Sequence, residues 1–137
     1  MSSLKVYTID GSNFKNLEGF YDEISRVLIP GFDWGHNLDA FNDILRGGFG
    51  TPDEGFAFKW INADMSKDRL GYPETMKYLE KQLATCHASN REYVAEELEI
   101  ARDGGGKTVF HLIVEIIRDH GLGGLEPDDN IELILEK

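Results

Sequence analysis

Apolar and polar side chains alternate from Leu4 to Ile9, in a run rich in β-branched and aromatic residues, and this period of two predicts a strand. Asp10-Gly11-Ser12-Asn13 carries turn chemistry and closes it. The period then changes. Leu17, Phe20, Tyr21, Ile24, Val27 and Leu28 recur at helical spacing and predict an amphipathic helix that stops before Pro30-Gly31. Leu38, Phe41 and Leu45 form a second, shorter stripe after Asn37, ended by Gly47-Gly48. Gly55 to Ile61 is largely apolar and reads as a buried strand. Helical pattern returns after Tyr72-Pro73, with Met76, Leu79 and Leu83 in a stripe, and again over an acidic segment from Arg91 to Arg102. Gly104-Gly105-Gly106 breaks that segment. Val109 to Ile117 predicts a buried helix with a stop at Gly121, and Asn130 to Leu135 a last strand. Strands separated by helical connections of this length imply a small parallel sheet with helices as crossovers.

The second stripe is the most informative segment. Asp39, Asn42 and Asp43 occupy the face beside Leu38, Phe41 and Leu45, so acid and amide groups project together from one side of a short helix. Asp39 and Asp43, one turn apart, repel each other at a cost of about 0.2–0.5 kcal/mol in an isolated helix. A cationic partner would offset that cost. The plainer reading is a solvated acidic face whose first-turn Asp suits the helix dipole.

Charge sharpens the choice of partner. The 137 residues include 25 acidic and 14 basic side chains, for a net charge of -11. Such a chain repels phosphate backbones, which argues against direct DNA or RNA binding, and attracts basic proteins. Hydrophobic content of 41% and charged content of 28% fit one globular domain over residues 1–137. A lone Cys86 rules out an intrachain disulfide and fits a reducing compartment; it reads as packing. Met1-Ser2-Ser3-Leu4-Lys5 shows no apolar leader, and no run is long enough to span a bilayer, so a cytoplasmic protein is expected.

Trp34-Gly35-x-Asn37-Leu38-Asp39-Ala40-Phe41-x-Asp43-x-Leu45 resembles the signature of the barstar family, intracellular inhibitors of the bacterial ribonuclease barnase. In that family the run leads into the helix that plugs the nuclease active site. The resemblance implies a barstar-like α/β fold, a small three-stranded parallel sheet packed with helices. Leu4–Ile9, Phe56–Ile61 and Ile131–Leu135 match its strands, Trp60 matches a tryptophan of the middle strand, and Val109–His120 resembles the last helix. It also implies a non-catalytic protein with no cofactor or metal, monomeric when free, whose partner is a basic ribonuclease or another basic protein.

By the same resemblance Asp43 matches the aspartate that enters the cationic active site, where a carboxylate stands in for a substrate phosphate. Asp39 matches a second acidic contact and Asn37 an amide contact, and Trp34 joins them as a candidate contact from the same motif. Asn42 stands where the family has a tryptophan and Arg46 where it has a small hydroxyl residue, so both are candidate contacts of altered chemistry. Asp33 and Gly48 replace two further aromatics. In the last helix the family's acidic contact falls on Ile116, with Glu115 one place away. Arg46, three residues beyond Asp43, is placed to pair with it. These exchanges imply a nuclease other than barnase, or a fold kept as a protein-interaction module without inhibition. Residues from about 62 to 106 make a longer connection than compact family members have.

Ala101 to Thr108 fits a relaxed P-loop, which would imply a nucleotide-binding protein using Lys107. A P-loop requires a buried strand before it, and Glu96-Glu97-Leu98-Glu99-Ile100 reads as an acidic helix instead. A Gly-rich linker is the better reading. The four histidines lack zinc-site spacing, and His111, in an apolar stretch, reads as a core residue. Ser12 and Ser66 lack the elbow of a hydrolase nucleophile, and Asp128-Asp129-Asn130 after Pro127 reads as a turn. Glu92, Glu96, Glu97 and Glu99 read as a solvated face.

Overall fold

In the computed structural model, which describes residues 4–137, the first alternating run forms β1 (Val6–Asp10). Met1–Ser3, where the sequence is expected to carry no apolar leader, lie outside the described residues. Helices α1 (Leu17–Val27) and α2 (Leu38–Arg46) connect β1 to β2 (Phe56–Ile61). Four more helices follow, α3 (Ala63–Arg69), α4 (Tyr72–Thr85), α5 (Arg91–Arg102) and α6 (Val109–Asp119), before β3 (Ile131–Leu135). The strands pair in parallel in the order β1-β2-β3, as the crossover lengths require.

Register decides which side of the sheet is covered. Ile9 pairs with Trp60 and Phe58 with Leu133, so these side chains share one face with Tyr7, Phe56 and Ile131. That face packs against α1, α2 and α6 through Phe20, Ile24, Phe41, Ile44, Ile113 and Ile117. On the opposite face Val6, Thr8 and Glu132 are exposed and Lys59 and Ile134 half-buried. Helices therefore cover one face only. Burial of a side chain of this kind contributes about 1.5–3 kcal/mol, which is what holds α2 together: its nine residues are too few for a stable isolated helix.

At the carboxyl end of β1, Asp10 accepts hydrogen bonds from the Asn62 amide, the Ser12 hydroxyl and the Ser12 backbone N–H. These bonds, led by that from Asn62, hold its carboxyl below the usual range. At the other end of the sheet, Gly55 (φ +98°) passes so close to the Asn130 backbone that a Cβ has no room.

The stretch expected as a long connection is folded. Its first piece, α3, is not legible in the sequence because its apolar residues make no stripe; it is anchored by buried Ser66, which accepts from the Trp60 indole N–H at 2.9 Å. Helices α4 and α5 form a hairpin with its own core of Leu79, Val94, Leu98 and Ala101, and half-buried Tyr78 packs on both this core and the main one. Cys86 caps α4 and packs half-buried on the same hairpin. Among the described residues no helix is long and apolar enough to cross a membrane.

Candidate functional site

Helix α2 starts because Asn37 caps it. The Asn37 side-chain oxygen accepts from the Ala40 N–H at 2.8 Å, and its amide donates to the Gly35 carbonyl at 3.2 Å. The preceding residue, His36, takes a left-handed conformation (φ +47°) to bring the chain into the cap. Gly47 ends the helix with φ +100°. Between these limits Leu38, Phe41, Ile44 and Leu45 are buried, and Phe41 meets Phe20 edge-to-face at 5.3 Å between centroids. The buried stripe turns Asp39, Asp43 and Arg46 outward to solvent.

The expected pairing within the helix is present. Arg46 donates from Nη1 to Asp43 Oδ1 at 2.7 Å, and from Nε and Nη2 to the two oxygens of Glu126 at 2.8 and 3.2 Å. This fork raises Arg46 above its ordinary value and lowers Glu126, with the Arg46–Glu126 hydrogen bond the largest cause for each. Asp43 is 60% exposed, so its other oxygen remains open to an outside cation.

Asn42 turns sideways. Its Oδ1 lies 2.6 Å from Nε2 of His120, whose Nδ1 lies 2.7 Å from Asp129 Oδ2. His120 is completely buried, whereas His111, expected in the core, is exposed and completes a capping box with Thr108 at the start of α6. The correction has a simple cause. An apolar neighbourhood in sequence says nothing about which side of a helix a residue faces, and His111 lies in the first turn, where its ring nitrogen reaches the Thr108 hydroxyl and backbone N–H. His120, Glu126 and Asp129 bring possible metal-ligand atoms within 4.8 Å of one another. Here Asp129 holds His120 and Glu126 holds Arg46.

Trp34 is placed differently from the other expected contacts. It is only 7% exposed, packs edge-to-face on Tyr21 at 5.5 Å, and donates its indole N–H to Ser25 Oγ at 2.7 Å. Its part is to pin the loop before α2 onto α1. The exposed aromatic surface comes instead from Phe32, 50% exposed, and half-buried Phe49, whose rings meet edge-to-face at 6.1 Å. Each lies one position from Asp33 and Gly48, where aromatics are missing. Their signal in the sequence is an aromatic beside glycine on either side of the helix, Phe32 after Gly31 and Phe49 between Gly48 and Gly50.

In the last helix Ile116 is half-buried against the core, and exposed Glu115 pairs with Lys107 at 2.8 Å. The Gly104–Gly106 turn joins two helices, with α5 before it and Thr108 capping α6 after it. The strand that a P-loop needs is replaced there by α5.

No curated protein sequence matches this chain significantly. A family model described as "Barstar (barnase inhibitor)" matches residues 4–104, which run from β1 through α5, while α6 and β3 complete the sheet beyond the match. With well over half of its length matched, and with the three-stranded parallel sheet and helix layer in place, the chain belongs to the Barstar family.

Proposed function

We propose that this protein inhibits a basic ribonuclease stoichiometrically, without catalysis, by laying the outward face of α2 over the enzyme's active site. The observation that carries the reading is the placement of Asp39 and Asp43 on the exposed side of a helix whose other side is locked into the core of a Barstar-family fold. Two fixed carboxylates on a rigid helix present anionic oxygens where a nuclease binds phosphates, and charge-assisted hydrogen bonds from its Arg, Lys or His side chains anchor them. Asn37 and Arg46 complete the face, with Asn42 behind it on His120 and with Phe32 and Phe49 supplying apolar contact at its edge. The net charge of -11 speeds encounter with a basic enzyme. The inhibitor acts in the bacterial cytoplasm and protects the cell that makes the nuclease.

Immobilised wild type and Asp43→Ala, incubated with lysate and secreted proteins of the source organism at low and moderate salt, test the proposal. Wild type retains a basic protein with ribonuclease activity and inhibits it at a one-to-one ratio. Asp43→Ala weakens that retention at least about 30-fold, the threshold of an interface hot spot. Equal retention by both, or a retained protein without ribonuclease activity, overturns the proposal.

One observation favours a second reading, an interaction module that keeps the fold without inhibiting a nuclease. Arg46 already occupies one oxygen of Asp43, and Asn42 is held by His120 rather than presented outward. Retention of a non-nuclease partner through a surface away from Asp43 distinguishes this reading.

A further inference from the structure

Helix α4, α1 and the loop entering α2 enclose an open groove of ≈ 780 Å³. That volume suits a short peptide segment better than a single side chain. Tyr21 lies in its wall and is 3% exposed, yet among the described residues its hydroxyl has no hydrogen-bond partner. Every fully buried side-chain nitrogen and oxygen among the described residues has a partner, so this hydroxyl opens onto the groove. The ring itself is fixed by its contact with Trp34.

Glu18 and Asp39 put negative charge near that hydroxyl. Burial raises Tyr21 above its ordinary value, and Tyr78, Glu18 and Asp39 push in the same direction. Tyr78, across the groove, is raised by burial and again by Asp39. One carboxylate of the candidate contact face therefore acts on both phenols. His36 and Asn37 line the groove as well, so it runs directly into the start of α2. Lys81 lies 3.8 Å from Glu18, and Lys77 lines the groove beside it, which disfavours a uniformly basic segment and selects a single cation flanked by uncharged residues.

We propose that this groove is a second contact surface for the basic partner, receiving an arginine-bearing segment whose guanidinium donates to the Tyr21 hydroxyl beside Asp39 and Glu18. The identity of the partner rests on the inhibitor reading above. Guanidinium suits the site better than ammonium because its flat face stacks on the aromatic walls while its edge donates.

The test is an NMR titration of isotope-labelled protein with N-acetyl-argininamide, following the backbone amides of Asn37, Tyr78 and Gln82. Wild type shows saturable shifts with a millimolar dissociation constant. Tyr21→Phe removes only an oxygen without a partner, so it folds, and it weakens the probe at least threefold. Glu18→Gln, an exposed change, weakens it as well. N-acetyl-norleucinamide and N-acetyl-aspartamide produce no saturable shift. The proposal is overturned by an absence of saturation with the arginine probe, by equal binding of either other probe, or by unchanged affinity in Tyr21→Phe. The groove and the α2 reading fail separately: loss of the first appears in the titration, loss of the second in the retention assay.

Discussion

His120→Ala isolates what fixes α2 against the end of the sheet. The imidazole is completely buried and bridges Asn42 on α2 to Asp129 ahead of β3, through contacts of 2.6 and 2.7 Å. A hydrogen bond to a carboxylate contributes about 1.5–3 kcal/mol, and one to a neutral amide about 1 kcal/mol. Asp129 is 23% exposed and Asn42 partly so, which lets water reach both oxygens after truncation and brings these figures to their lower ends. The void left by the ring adds a further loss. Together these give about 3 kcal/mol. For 137 residues the unfolding entropy is about 0.3 kcal/mol/K, so Tm falls by about 10 °C. With a urea m-value of about 1.5 kcal/mol/M, the midpoint falls by about 2 M. Fluorescence of Trp34 and Trp60, both buried, reports the transition. Asn42→Ala alone costs about 1 kcal/mol, and the double variant loses less than the sum of the two, because the shared bond can be removed only once. A loss below about 1 kcal/mol for His120→Ala, or strict additivity in the double variant, refutes the bridge.

Two further predictions concern charge. Arg46→Ala frees the oxygen of Asp43 that its own helix now occupies, and strengthens binding of a basic nuclease retained by wild type by about twofold to fivefold, measured by inhibition titration; weaker binding instead means that Arg46 itself contacts the partner. Acid should destabilise the fold through Asp10 and Glu126, whose carboxyls lie below their ordinary values of 3.8 and 4.5: their contribution is complete above those values and is lost as pH falls through the depressed ones, so Asp10→Asn flattens the decline of the urea midpoint between about pH 6 and about pH 3.

Most of the fold was legible because its signals are short-ranged. A period of two marked β1, an apolar run marked β2, and the stripe of Leu38, Phe41 and Leu45 marked α2. The missed helix α3 shows the limit of such signals: its place is secured by Ser66 meeting Trp60, a contact that periodicity does not encode. The same limit applied at β1, expected from Leu4 to Ile9 and found from Val6 to Asp10, where pairing of Asp10 with Ile61 extends the strand.

The sequence by itself determined that a short helix with a buried apolar side would carry Asp39 and Asp43 outward, since a 3.6-residue repeat and a capping residue act within one or two turns. Tertiary structure alone decided how much of that face is free. Asn42 meets His120 78 residues away, and Arg46 meets Glu126 80 residues away, across connections whose path no local pattern specifies. It also decided that Trp34 turns inward, that Phe32 and Phe49 come together at the surface, and that residues 72–102 fold into a hairpin whose first helix walls a groove beside α2. Local propensity sets which side of an element is apolar; the chain's return past that element sets which of its polar groups remain available to a partner.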